Sequence, residues 1–245
     1  MRHLVDYYEA SGLGGQTMWW PTITKANIAA TKPIYDALNV RYYFGSTADA
    51  AQPAPGLEKV AGADLDVFES KTVWPRAFFT DRLSRYQDVR QFVNWLKAGD
   101  GRPFAAVLAD EVHAPGAPFD QASRQIVAAH DYRLTNNTTS FTIDAPGTGV
   151  AVLNEAFVPD NFRAYVDGRR VPWFRVNHVF KGVALAGPGP HRVEFAYWPA
   201  PLTASLVVAA GGLLFILTGV GVLLFGPSAR SAKYDVHAPG AVANV

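Results

Sequence analysis

Few residues in this chain are equipped to do chemistry. The six histidines, His3, His113, His130, His178, His191 and His237, are scattered, and none forms a His-x-x-x-His pair. There is no cysteine, so thiolate nucleophiles, disulfides and cysteine-based zinc sites are all excluded. His130 and Asp131 are adjacent, and a regular strand would point them to opposite faces. Asp64 with Asp66, and Asp110 with Glu111, are carboxylates close in sequence. Like charges at that spacing are ordinarily just solvated. The Gly-x-Ser-x-Gly elbow and the phosphate-binding glycine-lysine loop are both absent. The residue inventory therefore predicts no catalytic group, no metal ligand set and no cofactor site in this chain.

Aromatic residues are the exception. Tyr165, Trp173, Phe174 and Phe180 lie around an Asp167-Gly168 turn, with Asn177 nearby. An aromatic face beside an amide is the combination that stacks against a sugar and hydrogen-bonds its hydroxyls. Tyr165, Trp173 and Asn177 are accordingly the candidate sugar contacts. The same residues would also serve as sandwich core and rim.

The element that must position everything else is the stretch Leu202–Phe225. No charged residue occurs between Glu194 and Arg230. A bilayer's apolar core is crossed by about 20 apolar residues of helix, so this stretch reads as one membrane span. Pro199 and Pro201 precede it and Gly226-Pro227 close it. Tyr197 and Trp198 stand where an interfacial aromatic belt would stand. Met1–Pro21 has no apolar core of signal-peptide length, which taken alone predicts a tail-anchored chain with a cytoplasmic head. The flanking charges point the other way. Arg230 and Lys233 follow the span and only Arg192 lies in the twenty residues before it, so the tail would be inside and the head outside. Upstream spans outside this sequence would remove the conflict. A formal net charge of +1 gives no field that would select nucleic acid.

The head divides by pattern. Residues 1–30 read as an irregular segment and 31–119 as a small α+β region. Residues 120–200 read as a β-sandwich, 202–225 as the span and 226–245 as a tail. Thr31–Asn39 reads as a helix with Pro33 in its first turn. Val40–Phe44, Leu57–Ala61, Leu65–Glu69 and Arg76–Thr80 read as strands. Val89, Phe92, Val93 and Leu96 mark one helical face, with Ser84 as the expected cap and Gly99 as the end. Phe104–Leu108 reads as a buried strand and His113–Phe119 as a linker. From Ile126 onward strands recur about every ten residues, the signature of a sandwich. They are expected at 126–134, 140–144, 150–155, 162–166, 170–176, 180–185 and 192–198. Asp167-Gly168 is a strong type I′ hairpin signal. The expected class is mainly β (α+β), a carboxy-terminal sandwich preceded by a small α+β region and followed by one transmembrane helix.

Three stretches carry a resemblance: Phe162–Pro172, Asn177 with Phe180–Val183, and Pro190–Pro199. With Leu38–Tyr43 and Trp74–Phe78, they resemble the carboxy-terminal region of the YfhO-like family of bacterial multi-spanning membrane proteins. Asn161-Phe162 departs from that family's usual Gly-Trp. The family is similar to glycosyltransferases that use lipid-linked sugars on cell-envelope polymers. Its catalytic carboxylates belong to an amino-terminal membrane domain that these residues do not include, so none is carried over. The resemblance implies a non-catalytic extracytoplasmic module at the bacterial cell membrane. It would be single-pass, with head outside and tail inside. Its partners would be membrane lipid, a multi-spanning domain of the same gene or a separate chain, and cell-envelope glycan. A free-standing membrane-anchored carbohydrate-binding protein is the alternative, and an enzyme with an unrecognised site a third.

Overall fold

The computed structural model describes residues 2–13, 28–46, 55–111 and 124–226. The expected linker at 113–119, the Trp19-Trp20 segment and the tail with Arg230 and Lys233 lie outside the described residues. The elements run in order α1 (Arg2–Ser11), α2 (Ile28–Ala37), β1 (Tyr42–Ser46), β2 (Leu57–Gly62), β3 (Leu65–Ser70), β4 (Ala77–Thr80), β5 (Leu83–Tyr86), α3 (Val89–Ala98) and β6 (Ala105–Leu108). There follow β7 (Ile126–Ala128), β8 (His130–Leu134), β9 (Thr138–Ala145), β10 (Thr148–Leu153), β11 (Phe162–Val166), β12 (Arg169–Val171), β13 (Trp173–Val176), β14 (Phe180–Ala186), β15 (Gly189–Tyr197) and α4 (Ala200–Phe225). The class is mainly β with a few helices, as expected.

Two five-stranded antiparallel sheets face each other, ordered β13-β14-β10-β4-β7 and β12-β11-β15-β9-β8. Between them pack Phe79, Ala151, Leu153 and Leu185 from the first and Phe141, Ile143, Val193 and Phe195 from the second. The first sheet is buried on both faces. Phe78, Val150, Val152, Phe174 and Val176 point away from the sandwich into a second core shared with α2, α3 and β6. All four residues of β4 are buried. That explains the unbroken apolar run Val150–Leu153, because a strand covered on both faces has no polar side.

The strand pairing crosses the domain boundary expected at 119/120, since β4 sits between β10 and β7. Residues 1–199 form one compact unit. Two expected long strands each split in two, and each half joins a different sheet. One break is at Ala129, whose N–H still donates to the Ala77 carbonyl of β4 at 3.0 Å, while His130, the next residue, pairs with β9. The other is at Pro172, which has no N–H to continue a ladder. Strands that switch sheets in this way form the corners of a sandwich.

Other local readings are corrected. The expected irregular segment at 1–30 contains α1, closed by Gly12 at φ 80°, with Leu13 N–H reaching back to the Tyr8 carbonyl at 2.9 Å. Helix α2 spans Ile28–Ala37, which places Pro33 inside it and not at its start. Ser84 does not cap α3; it lies in β5, which pairs in parallel with β6 across the α3 crossover. Asp88 is the cap, accepting from Gln91 N–H at 2.9 Å. The Asp167-Gly168 hairpin is as read, with φ 52° and 77° at the two turn residues and Val166 opposite Arg169.

Helix α4 is a separate unit. An 18-residue window of Pro201–Phe225 has a mean hydropathy of 2.5, and none of that window is buried. By length and composition it is one candidate membrane span, consistent with single-pass anchoring.

Candidate functional site

A cavity of about 580 Å³ lies among α2, α3, β5 and the 99–104 segment. That is within the roughly 300–1,000 Å³ usual for small-molecule sites. Its floor is Lys32, Asp36, Trp74 and Leu96, all buried. Its walls include Pro33, Trp95 and Phe104. Arg82, Asp100, Arg102 and Arg124 stand at the rim.

Each side chain is held by an identifiable local cause. Lys32 and Asp36 are one helical turn apart on α2 and pair at 2.7 Å. Asp36 also accepts from Ser70 Oγ at 2.7 Å and Thr72 Oγ1 at 2.6 Å, so the buried pair is fully hydrogen-bonded. Trp74 donates its indole N–H to the Gly101 carbonyl at 2.9 Å and meets the Phe104 ring edge-on at 5.2 Å. Trp95 meets Tyr86 edge-on at 6.5 Å. Arg124 grips both oxygens of Asp100 at 2.6 Å, and this pairing holds the Asp100 carboxyl below the usual carboxylate range. Arg102 donates to the Arg124 carbonyl at 3.0 Å. The carboxylates here are committed to cations, which suits recognition and leaves them poor as proton acceptors.

The sequence-predicted contacts are not brought together. Tyr165 is on β11, where the buried Ala164 beside it marks the inward face, so Tyr165 points outward. Trp173 packs inward against Phe157, Phe162 and Phe195 at the margin of the sandwich core. Asn177 is 1 % exposed, and its amide is occupied by β6. Its Oδ1 accepts from Ala106 N–H at 2.8 Å and its Nδ2 donates to the Phe104 carbonyl at 2.8 Å. This residue bolts the β13–β14 turn to β6 within the core that α2 and α3 share.

The carboxylate pairs are likewise separated. Asp66 is fully buried with Lys59 at 2.6 Å, while Asp64 is exposed in the turn before it. Glu111 lies 3.4 Å from Arg175, and Asp110 is exposed. His130 and Asp131 do meet, at 3.0 Å, contrary to the alternation expected. Asp131 has φ 51° and the β8–β9 register slips there, so a bulge turns both side chains to one side. Their contact, with Asp144 at 3.2 Å, raises the His130 pKa. Among the described residues no group of three or more His, Asp or Glu could hold a metal.

Lining residues such as Lys32, Trp95 and Arg102 were not singled out from sequence. They come from separate segments that only folding assembles. Comparison with known proteins finds no match for this chain among family models, curated proteins or solved structures.

Proposed function

We propose that this chain is a membrane-tethered, non-catalytic extracytoplasmic module that belongs to, or partners, a cell-envelope glycosyltransferase of the YfhO-like kind. The observation that carries the reading is α4. It is long and apolar enough to cross a bilayer, and none of the residues in its apolar window is buried. Its partners are therefore lipid or spans supplied from elsewhere. Strand β15, which bears much of the resemblance, ends at Tyr197, just before that helix begins at Ala200. The candidate carboxylates of the head are exposed or ion-paired, which favours a supporting role over catalysis.

Reporter fusions test the topology. With the native upstream sequence present, a reporter at Val245 reads cytoplasmic and one in the β11–β12 turn reads extracytoplasmic. A periplasmic signal at Val245 would overturn the orientation and the family argument together. In the complete transferase, Asp64→Ala, Asp66→Ala, Asp110→Ala and Glu111→Ala each retain most activity. A loss above about a hundredfold in one of them, with the fold intact, would place catalysis in this chain. A second reading, a free-standing membrane-anchored carbohydrate-binding protein, is favoured by the aromatic-walled cavity. Co-purification with a multi-spanning protein separates the two readings.

A further inference from the structure

We infer that the outer face of the three-stranded sheet β1-β3-β2 is a lipid-contact surface, which rests the head on a bilayer at headgroup depth through Tyr42, Phe44, Val60 and Leu65.

Exposed apolar side chains are concentrated on this sheet. Tyr42, Phe44, Val60 and Leu65 are all exposed there, and the rest of the described head adds only Val5, Tyr8, Leu134 and Tyr197. The strand register shows why. Tyr43 and Phe68 lie opposite one another and are buried, with Tyr43 edge-on to Tyr35 of α2 at 6.3 Å. Alternation puts their neighbours on the other face, where Phe44 lies opposite Val67 and Leu65 opposite Ser46. Phe44 is 72 % exposed, and Val60 stands exposed at the bulge in β2. The core fixes one face of the sheet, and the other presents apolar side chains to the outside.

The charges on the sheet set the kind and depth of contact. Lys71 pairs with Glu69 at 2.7 Å and with Glu58 at 3.2 Å, and Lys59 pairs with Asp66 at 2.6 Å. These cations are used within the sheet, so the face selects apolar surface and not anionic headgroups. Asp64 is exposed in the β2–β3 turn, and β1 and β2 are edge strands whose outer backbone groups have no ladder partner among the described residues. Hydrocarbon would leave such groups unsatisfied, whereas the headgroup layer still holds water. Tyrosine favours that same depth.

Two observations favour lipid over a protein. The first is area. An aromatic side chain offers about 150–250 Å² and an aliphatic one less, so the four residues present on the order of 400 Å². A stable protein interface takes about 800 Å² from each partner. The second is the tether. The head runs to Pro199 and the span-length helix begins at Ala200. A head held by a span meets the bilayer at a high effective concentration, so a small contact suffices. The inference therefore rests on the reading of α4 as a membrane span.

The chain has no cysteine, so a single introduced thiol takes a spin label unambiguously. The full chain is reconstituted in phosphatidylcholine nanodiscs, with and without phosphatidylglycerol. Ala61→Cys places the label opposite Val67. Arg170→Cys, at an exposed position of β12, is the water reference, and Leu214→Cys in α4 is the lipid reference. Collisions with a water-soluble nickel chelate fall at least about threefold at the Ala61 label relative to the Arg170 label, as contact at the headgroup boundary requires. Phosphatidylglycerol changes this little. Phe44→Glu with Leu65→Glu restores the collisions at the Ala61 label, and the melting temperature stays near that of the parent because both sites are exposed. The inference is overturned by an Ala61 label as accessible as the Arg170 label while Leu214 reads lipid, a result that leaves the span reading intact. It is also overturned by protection that needs phosphatidylglycerol, by protection that survives the two glutamates, or by spin–spin broadening between Ala61 labels, which would assign the face to a second copy. A Leu214 label that reads water overturns the span reading and this inference together.

Discussion

His178 is a histidine whose surroundings strongly oppose its charge. It is 6 % exposed, its Nδ1 lies 3.1 Å from the Tyr86 hydroxyl, and its pKa is lowered to about 4. Burial is the main cause, with Arg175 and His3 adding repulsion and Asp6 partly opposing them. In the unfolded chain a histidine titrates near 6.5. Between about pH 6.5 and 4 the unfolded state holds more protons than the folded one, so stability falls as pH falls through that window. The loss levels off below about 4 and amounts to at most about 3 kcal/mol. His178→Asn removes the titration and keeps a residue tolerant of the φ of 67° found there. Melting temperatures from pH 7 to 4 should fall less steeply for that variant than for the parent. Equal slopes would show that His178 is not the group responsible. Glu155 gives a second test. It accepts from Lys181 at 3.1 Å, Arg76 at 2.9 Å and Thr139 at 3.0 Å, and Lys181 is 2 % exposed. Burial raises the Glu155 pKa, but these three donors outweigh it and the net shift is downward. Glu155→Gln strips a buried ammonium of its anion and should cost about 3–5 kcal/mol in denaturant unfolding. Lys181→Met should cost less, because Glu155 keeps Arg76 and Thr139.

At the scale of elements, turn and cap chemistry decides where strands and helices stop. Gly168 has φ 77° and a Cβ there would meet nothing within 4 Å, so a side chain is opposed by the backbone alone. Gly168→Val should destabilise the head by about 1–3 kcal/mol. Gly147, in the β9–β10 turn, is equally open but does not have the left-handed backbone, and Gly147→Val is the matched control with a smaller effect. Equal melting temperatures for the two variants would deny the role of the left-handed turn. For α3, Asp88→Ala should cost about 1 kcal/mol. Ser84→Ala, in β5, removes no cap and should be milder.

For the whole molecule, the decisive feature is a central sheet buried on both faces. Phe78 points into one core and Phe79, its neighbour on β4, into the other. Truncating either to Ala should cost about 3–5 kcal/mol. If the head is one cooperative unit, both variants shift one and the same unfolding transition. A biphasic melt in which each variant moves a different phase would restore two independent domains. The amide of Asn177 ties the β13–β14 turn to β6 inside the first of these cores, and the shared strands β4, β10, β13 and β14 couple that core to the other.

Much of the fold was legible from residue pattern because the signals were local. The apolar Leu202–Phe225 run, the strand spacing after Ile126, the Asp167-Gly168 turn and the Val89–Leu96 stripe each depend on neighbours in sequence. Those determine a mainly β head followed by a span-length helix. What only the tertiary structure decided is which strand lies beside which and what covers each face. The unbroken run Val150–Leu153 fits any buried strand, and only the presence of α2, α3 and β6 on one side explains it. The same holds for the site. Tyr165, Trp173 and Asn177 are close in sequence, yet strand alternation and the break at Pro172 send them outward, inward and into a buried bolt. Lys32, Trp95, Arg102 and Arg124 are far apart in sequence and share one cavity. Periodicity reports which face of an element is apolar. The meeting of side chains from different elements depends on long-range packing, which no local pattern encodes.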